Sequence, residues 1–207
     1  MDLQNYLNYV VIAFFTITSP GAAILLAINT AMNYGIKELF IQTLGNILGL
    51  FILSTVAMLG VGAVLKSSPL FYTIFKIIGA LYLIYLGVLQ IQNKHTKIHL
   101  KKIKTNKSIP LSQLFKRGFL VAVTNPKPIL FFGAVFPLFI EKDKSIALQF
   151  FIMTFTFMFI SCCSLMFYGY ISKSAKAWFF TEEKLKIFYK ISGTLFILMG
   201  LGLIFIK

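Results

Sequence analysis

Thr18-Ser19-Pro20-Gly21 and Thr124-Asn125-Pro126-Lys127-Pro128 interrupt two long apolar stretches at matching places in the two halves of the chain. Proline has no N–H and its ring clashes with the preceding turn, so a helix stops or restarts there. A break inside a bilayer strands backbone groups that lipid cannot satisfy, and it survives only against protein or a water-filled cavity. Ser19 and Asn125 are good N-cap residues, each followed by a proline suited to the first helical position. Both breaks therefore predict helices that start anew, with Pro20 and Pro126 as their first residues. The carbonyls of Thr16, Ala122 and Thr124 should lose their helical partners. The amides of Gly21 to Ala23 and Lys127 to Leu130 should present partial positive charge, suited to an anion or a carboxylate.

The surrounding sequence places these breaks in a membrane. Hydrophobic residues make up 58% of the chain, and charge is absent from Leu3 to Ile36, from Leu39 to Leu65 and from Ser145 to Ser172. Each run exceeds the roughly 20 residues that cross a hydrocarbon core. Three further apolar runs, Ser67 to Asn93, Gly118 to Ile140 and Ile191 to Ile206, bring the expected number of spans to six. Six spans consume most of 207 residues and leave no room for a soluble catalytic domain. The first apolar run is not preceded by a basic segment, so it reads as a retained helix and not a cleaved leader. Cys162 and Cys163 are adjacent within a span, point in different directions and predict small interface residues, not a disulfide or a metal pair.

The net charge of +14 belongs to topology and not to nucleic acid. Fourteen lysines and arginines fall in the connections after spans one, three and five, eight of them between Lys94 and Arg117, against four on the other side. The positive-inside rule puts the richer side in the cytoplasm and both termini outside. The lysine cluster of the central loop would also favour anionic lipid headgroups.

The halves look alike. Lys76-Ile77-Ile78-Gly79-Ala80-Leu81-Tyr82-Leu83-Ile84 and Lys190-Ile191-Ser192-Gly193-Thr194-Leu195-Phe196-Ile197-Leu198 share four of nine residues at a spacing of 114, and the two proline breaks are 106 apart. An odd number of spans per copy inverts the second in the membrane, the plan of many secondary transporters. The expected architecture is an all-α polytopic membrane protein of six transmembrane helices, built as two inverted three-helix repeats with helices 1 and 4 broken mid-membrane. A single membrane domain fills 1–207, as repeat one at 1–92, a basic cytoplasmic loop at 93–112 and repeat two at 113–207.

The site expected at the breaks comprises Thr18, Ser19, Pro20, Gly21, Thr124, Asn125, Pro126 and Lys127, joined by Asn46 from span two. A lysine inside a span is costly and normally faces a cavity or a partner, which singles out Lys127. Asn46 can either bind substrate or tie helices together. It lies in Gly45-Asn46-Ile47-Leu48-Gly49, whose glycines suit close helix contact within the chain or between subunits. No Asp or Glu lies in any expected span, and His95 and His99 are both in the basic loop. A cation exporter would want such ligands, whereas a zwitterion leaves no charge unpaired: its carboxylate meets Lys127 and the helix ends, its ammonium the freed carbonyls. No nucleophile paired with a base, no metal-ligand spacing and no phosphate loop points to an enzyme or to a cofactor. Two other classes stay open on the residues alone, an exporter of metal or other inorganic ions and a non-transporting membrane protein acting on lipid.

With these residues in view, the chain resembles the LysE/RhtB family of bacterial amino-acid exporters over nearly its whole length. The resemblance rests on Ser19-Pro20-Gly21, on Gly45 and Gly49, on Gly79 and Gly87, and above all on Thr124-Asn125-Pro126-Lys127. It implies export of amino acids or their derivatives from the cytoplasm across a bacterial inner membrane, energised by the proton gradient, with a homodimer as the assembly. Where the family shows Thr-Pro-Gly-Pro this chain has Ser19-Pro20-Gly21-Ala22, so one proline of that turn is missing. Asn46 stands where lysine-exporting relatives would be expected to carry an acid, which favours neutral substrates such as homoserine, threonine or leucine.

Overall fold

A residue that precedes proline is driven out of the helical region, and both breaks form in this way. In the computed structural model, which describes residues 1–65, 69–92, 109–141, 143–173 and 182–205, Ser19 (φ −64°, ψ 120°) and Asn125 (φ −74°, ψ 120°) are both extended. The first break separates α1 (Leu3–Thr18) from α2 (Ala22–Asn33) with a bend of 53°. The second separates α5 (Leu111–Thr124) from α6 (Pro126–Leu130), and the axis bends by 47°. Beyond Leu130 the chain continues as a widened π turn, Phe131–Val135, and then tightens into a 3₁₀ turn, Phe136–Phe139.

The remaining elements are unbroken. They are α3 (Ile36–Leu65), α4 (Pro69–Gln92), α7 (Ile146–Lys173) and α8 (Glu182–Phe205). No strand occurs among the described residues. By length and apolarity α3 and α7 can each cross a membrane, as can each bent pair taken together. Their outward faces carry large apolar side chains such as Val56, Leu59, Phe155 and Phe159, a surface that suits lipid and not water. The fourth apolar stretch starts earlier than its charge pattern suggests, because α5 includes Lys116 and Arg117 in its first half. Residues 93–108 of the basic loop, with His95 and His99, lie outside the described residues.

Backbone contact at glycine sets the helix pairs. An ideal Cβ on Gly45 of α3 would lie 2.0 Å from the Phe115 carbonyl oxygen of α5, and one on Gly118 of α5 would lie 1.9 Å from the Gln42 oxygen of α3. The glycines of the Gly45–Gly49 motif are thus covered within the chain. Gly87 and Gly193 join α4 to α8 in the same manner, each with its Cβ position under 3 Å from the other's carbonyl oxygen, at 2.5 and 2.7 Å. Small residues that bring backbones together are the usual adhesive of helices in lipid, where hydrophobic burial gives no net drive.

Two apolar clusters result. The larger is rich in aromatic rings and gathers Tyr9, Phe131, Phe136, Phe150 and Phe157 around α1, α7 and the end of the α5–α6 arm. The smaller, with Ile24, Ala27, Ile28, Leu39 and Leu165, joins α2, α3 and α7. Cys163 is exposed and Cys162 half-buried, so the pair is not the buried interface the sequence predicts; its neighbours Ser161 and Ser164 take that place.

A polar knot closes the molecule beside the larger cluster. Glu141 accepts hydrogen bonds from the Asp2 N–H at 2.8 Å and the Asn5 amide at 3.0 Å, and Lys144 reaches it at 2.9 Å while also pairing with Asp2. Lys144 first, then the Asp2 N–H, hold the Glu141 carboxyl down at about 2, below its ordinary 4.5. Asp2 and Glu141 push Lys144 above the usual lysine range. A depressed carboxylate value stabilises the fold above the ordinary value and loses that contribution as pH falls through the folded one. The parent should therefore melt at a higher temperature than Glu141→Gln at neutral pH, and the gap should close between pH 4.5 and 2 and shrink in high salt. A gap that stays constant over that window would show that the knot carries no such linkage.

Candidate functional site

The broken helices leave carbonyls that a continuous helix would consume, and three consecutive ones at the first break find side chains from three other elements. Tyr168 of α7 donates to the Thr18 oxygen at 2.9 Å, the Lys127 ammonium of α6 to the Ser19 oxygen at 2.9 Å, and Tyr189 of α8 to the Pro20 oxygen at 3.5 Å. Lys127 thereby ties one break directly to the other. Its own carbonyl accepts from Tyr82 of α4 at 3.3 Å.

These contacts correct the expected first break. Ser19 is the C-cap of α1, its N–H bonded to the Phe15 oxygen at 3.1 Å, and the N-cap of α2 is Gly21. Helix α2 begins at Ala22, not at Pro20, and the Gly21 oxygen accepts its first turn from Leu25 at 2.9 Å. Capping preference is overridden because the Ser19 and Pro20 carbonyls turn toward side chains of other helices. The uncommitted amides at the start of α2 are accordingly those of Ala22, Ala23 and Ile24.

At the second break Asn125 caps as expected, its Oδ1 accepting from the Lys127 N–H at 3.1 Å, and Pro126 opens the helix. The expected free amides from Lys127 to Leu130 are not available, however. Lys127 is capped, Pro128 has no N–H, and Ile129 bonds to the Asn125 oxygen at 3.4 Å. Positive charge at this break comes from the Lys127 ammonium alone.

Between the two breaks lies a cavity of about 50 Å³, room for roughly three to five water molecules. Of the residues expected from sequence, Ser19, Gly21, Asn46, Asn125 and Lys127 line it. Thr18, Pro20, Thr124 and Pro126 do not; the Thr18 and Thr124 hydroxyls bond back along their own helices to Phe14 and Leu120, each at 2.7 Å. Asn46 faces Ser161 of α7, whose hydroxyl donates to its Oδ1 at 3.4 Å. The apolar walls come from both clusters, Leu50 and Phe157 from the larger and Ile24 and Leu165 from the smaller. The cavity is a polar seam between two greasy layers.

Lys127 meets no acidic partner among the described residues. A half-buried ammonium bonded to a neutral carbonyl carries a charge with no counter-charge beside it, which an anionic group would complete. No group of three or more His, Cys, Asp or Glu side chains gathers among the described residues to hold a metal.

The family model described as LysE type translocator matches residues 14–206. The chain belongs to the LysE type translocator family. It is therefore a transporter and not an enzyme, and a multi-pass membrane protein. The leucine efflux protein of Salmonella typhimurium is 30% identical over 195 residues, covering 93% of this chain and 91% of that protein. A leucine efflux protein of Klebsiella pneumoniae is 32% identical over 165 residues, or 79% and 76% of the two chains. The uncharacterized membrane protein YrhP of Bacillus subtilis is 30% identical over 207 residues, or 97% and 98%. No solved structure matches.

Tyr82, Tyr168, Tyr189 and Ser161 are the site residues that the sequence reading misses. A tyrosine in an apolar stretch reads as a packing residue, and only the fold shows that the Tyr168 and Tyr189 phenols answer carbonyls at the proline break of another helix and that Tyr82 reaches the Lys127 carbonyl.

Proposed function

We propose that this translocator exports small neutral amino acids from the cytoplasm by alternating access across a bacterial inner membrane. The observation that carries the reading is the single ammonium of Lys127, bonded to the Ser19 carbonyl beside the cavity and lacking an acidic partner among the described residues. An amino-acid carboxylate supplies the missing charge, with the Asn125 NH₂ and the first amides of α2 as further donors. The substrate ammonium then faces Asn46 Oδ1, the Ser161 hydroxyl and the Ser19 carbonyl that Lys127 releases. The efflux proteins similar to this chain carry leucine in their names, which agrees with a neutral side chain.

Six spans follow if α1–α2 and α5–α6 with its continuation each cross once, alongside α3, α4, α7 and α8. The packing supports inverted repeats: span two lies on span four as span five lies on span one, and span three lies on span six. The charge asymmetry then puts both termini outside. Proton coupling is assigned to Lys127, the ionisable group of the cavity. A homodimer would have to use the outward faces, since Gly45 and Gly49 are already covered by α5.

Proteoliposomes containing the purified protein and loaded with a mixture of amino acids should release neutral ones, faster when a proton gradient is imposed. Asn125→Ala should slow that release by roughly tenfold, the loss of a hydrogen bond to a charged group. Absence of amino-acid flux from well-inserted parent protein sinks the reading.

A further inference from the structure

The cavity wall has a fixed part, and its position relative to the polar groups gives it a task. Phe157, Ser161 and Leu165 follow one another at four-residue spacing along α7 and all line the cavity, as neighbours on one helical face do. Helices α3 and α7 run antiparallel, since Gly169 meets Leu39, Thr43 meets Met166 and Asn46 meets Ser161. One turn beyond the Asn46–Ser161 pair, on the same side, therefore stand Leu50 and Phe157. The Phe157 side chain is buried at 3% exposure, and its ring lies 4.8 Å from that of Phe131 and 4.7 Å from that of Phe132, centroid to centroid. Held by two rings, it cannot swing aside to enlarge the chamber.

We propose that Phe157 and Leu50 set the side-chain specificity of export, forming a rigid apolar stop that accepts aliphatic side chains no larger than leucine and rejects aromatic ones. The inference rests on the export reading above and adds to it. Lys127, Asn125, Asn46 and Ser161 hold the carboxylate and amine that every amino acid shares, so they cannot tell one side chain from another. Discrimination falls to whatever the side chain touches. A hydrophobic wall distinguishes by size, and the difference of a few carbons is worth tens of fold in transport preference. The Ile24–Leu165 wall is aliphatic, with Tyr168 packed against its cluster, and it lies away from the Leu50–Phe157 turn.

The test is competition between leucine, alanine and phenylalanine for release from loaded membrane vesicles, read as ratios so that differences in the amount of inserted protein cancel. Phe157→Ala should lower the leucine-to-phenylalanine preference by about tenfold or more. Leu50→Phe should do the reverse within the aliphatic series, losing leucine while retaining alanine. Should Phe157→Ala fail to insert, Phe157→Leu and Leu50→Phe carry the same comparison. A merely structural role would depress all three substrates together and leave the ratios as in the parent, and that result overturns the inference. So does a shift in preference caused by Leu165→Ala with none from Phe157→Ala. A parent that releases none of the three amino acids instead overturns the export reading itself.

Discussion

Lys127→Ala should abolish amino-acid export while leaving the protein folded and inserted. The ammonium is the only charge that the two breaks share, bonded to the Ser19 carbonyl at 2.9 Å and facing the cavity. Removing the ammonium that would pair with the substrate carboxylate costs about 2–5 kcal/mol, which corresponds to a fall in transport of roughly thirty-fold to several thousand-fold. The fold should tolerate the change because water can enter the vacated space and take over the Ser19 carbonyl. Lys127→Arg keeps the charge but replaces a compact ammonium by a rigid fork in a chamber of about 50 Å³, and partial activity is expected at best. Flux assays on equal amounts of inserted protein decide the matter; parental rates from Lys127→Ala would remove the lysine from the mechanism.

The second large effect concerns stability. Gly118→Ala should sharply reduce the yield of folded protein and its melting temperature in detergent. The new Cβ would sit 1.9 Å from the Gln42 carbonyl oxygen and 3.1 Å from the Asn46 nitrogen, both backbone atoms of α3. Backbone cannot step aside as a side chain tip can, so α3 and α5 must move apart along their whole contact. Overpacking typically costs 1–3 kcal/mol, and the upper part of that range or beyond is expected, roughly 3 kcal/mol. Gly60→Ala in the same helix α3 supplies the contrast, since nothing lies within 4 Å of its Cβ position. It should be neutral or slightly stabilising, as alanine is the better helix former. Equal melting temperatures for the two variants would show that the close approach of α3 and α5 does not hold the fold together.

How much of this was legible in the chain follows from which signals are local. Prolines act on their own helix, so Pro20 and Pro126 announce both breaks, and Asn125 announces its cap. The lysine announces itself because charge in an apolar stretch needs a reason. Ser19 misleads for the same local logic: its preference for starting a helix is real, but tertiary hydrogen bonds to its carbonyl and to that of Pro20 outweigh it. Helix α7 hid its contribution, since it is apolar on every side and no periodicity marks the row that Phe157, Ser161 and Leu165 turn inward. The tyrosines were silent because their role depends on carbonyls far away in sequence. The widened turn at Phe131–Val135 does have a local signal, since Pro137 has no N–H to donate to the Gly133 carbonyl one turn earlier.

The glycine contacts carry a mechanical consequence. Where α3 meets α5 and α4 meets α8, main chain rests directly on main chain at the glycines. Each pair is then a stiff girder, unable to slide or splay without losing its whole seam. Deformation would then concentrate at the proline joints, which border the cavity and are tied to each other by the hydrogen bond from Lys127 to the Ser19 carbonyl. The alternation proposed above would then take the form of a pivot about these joints.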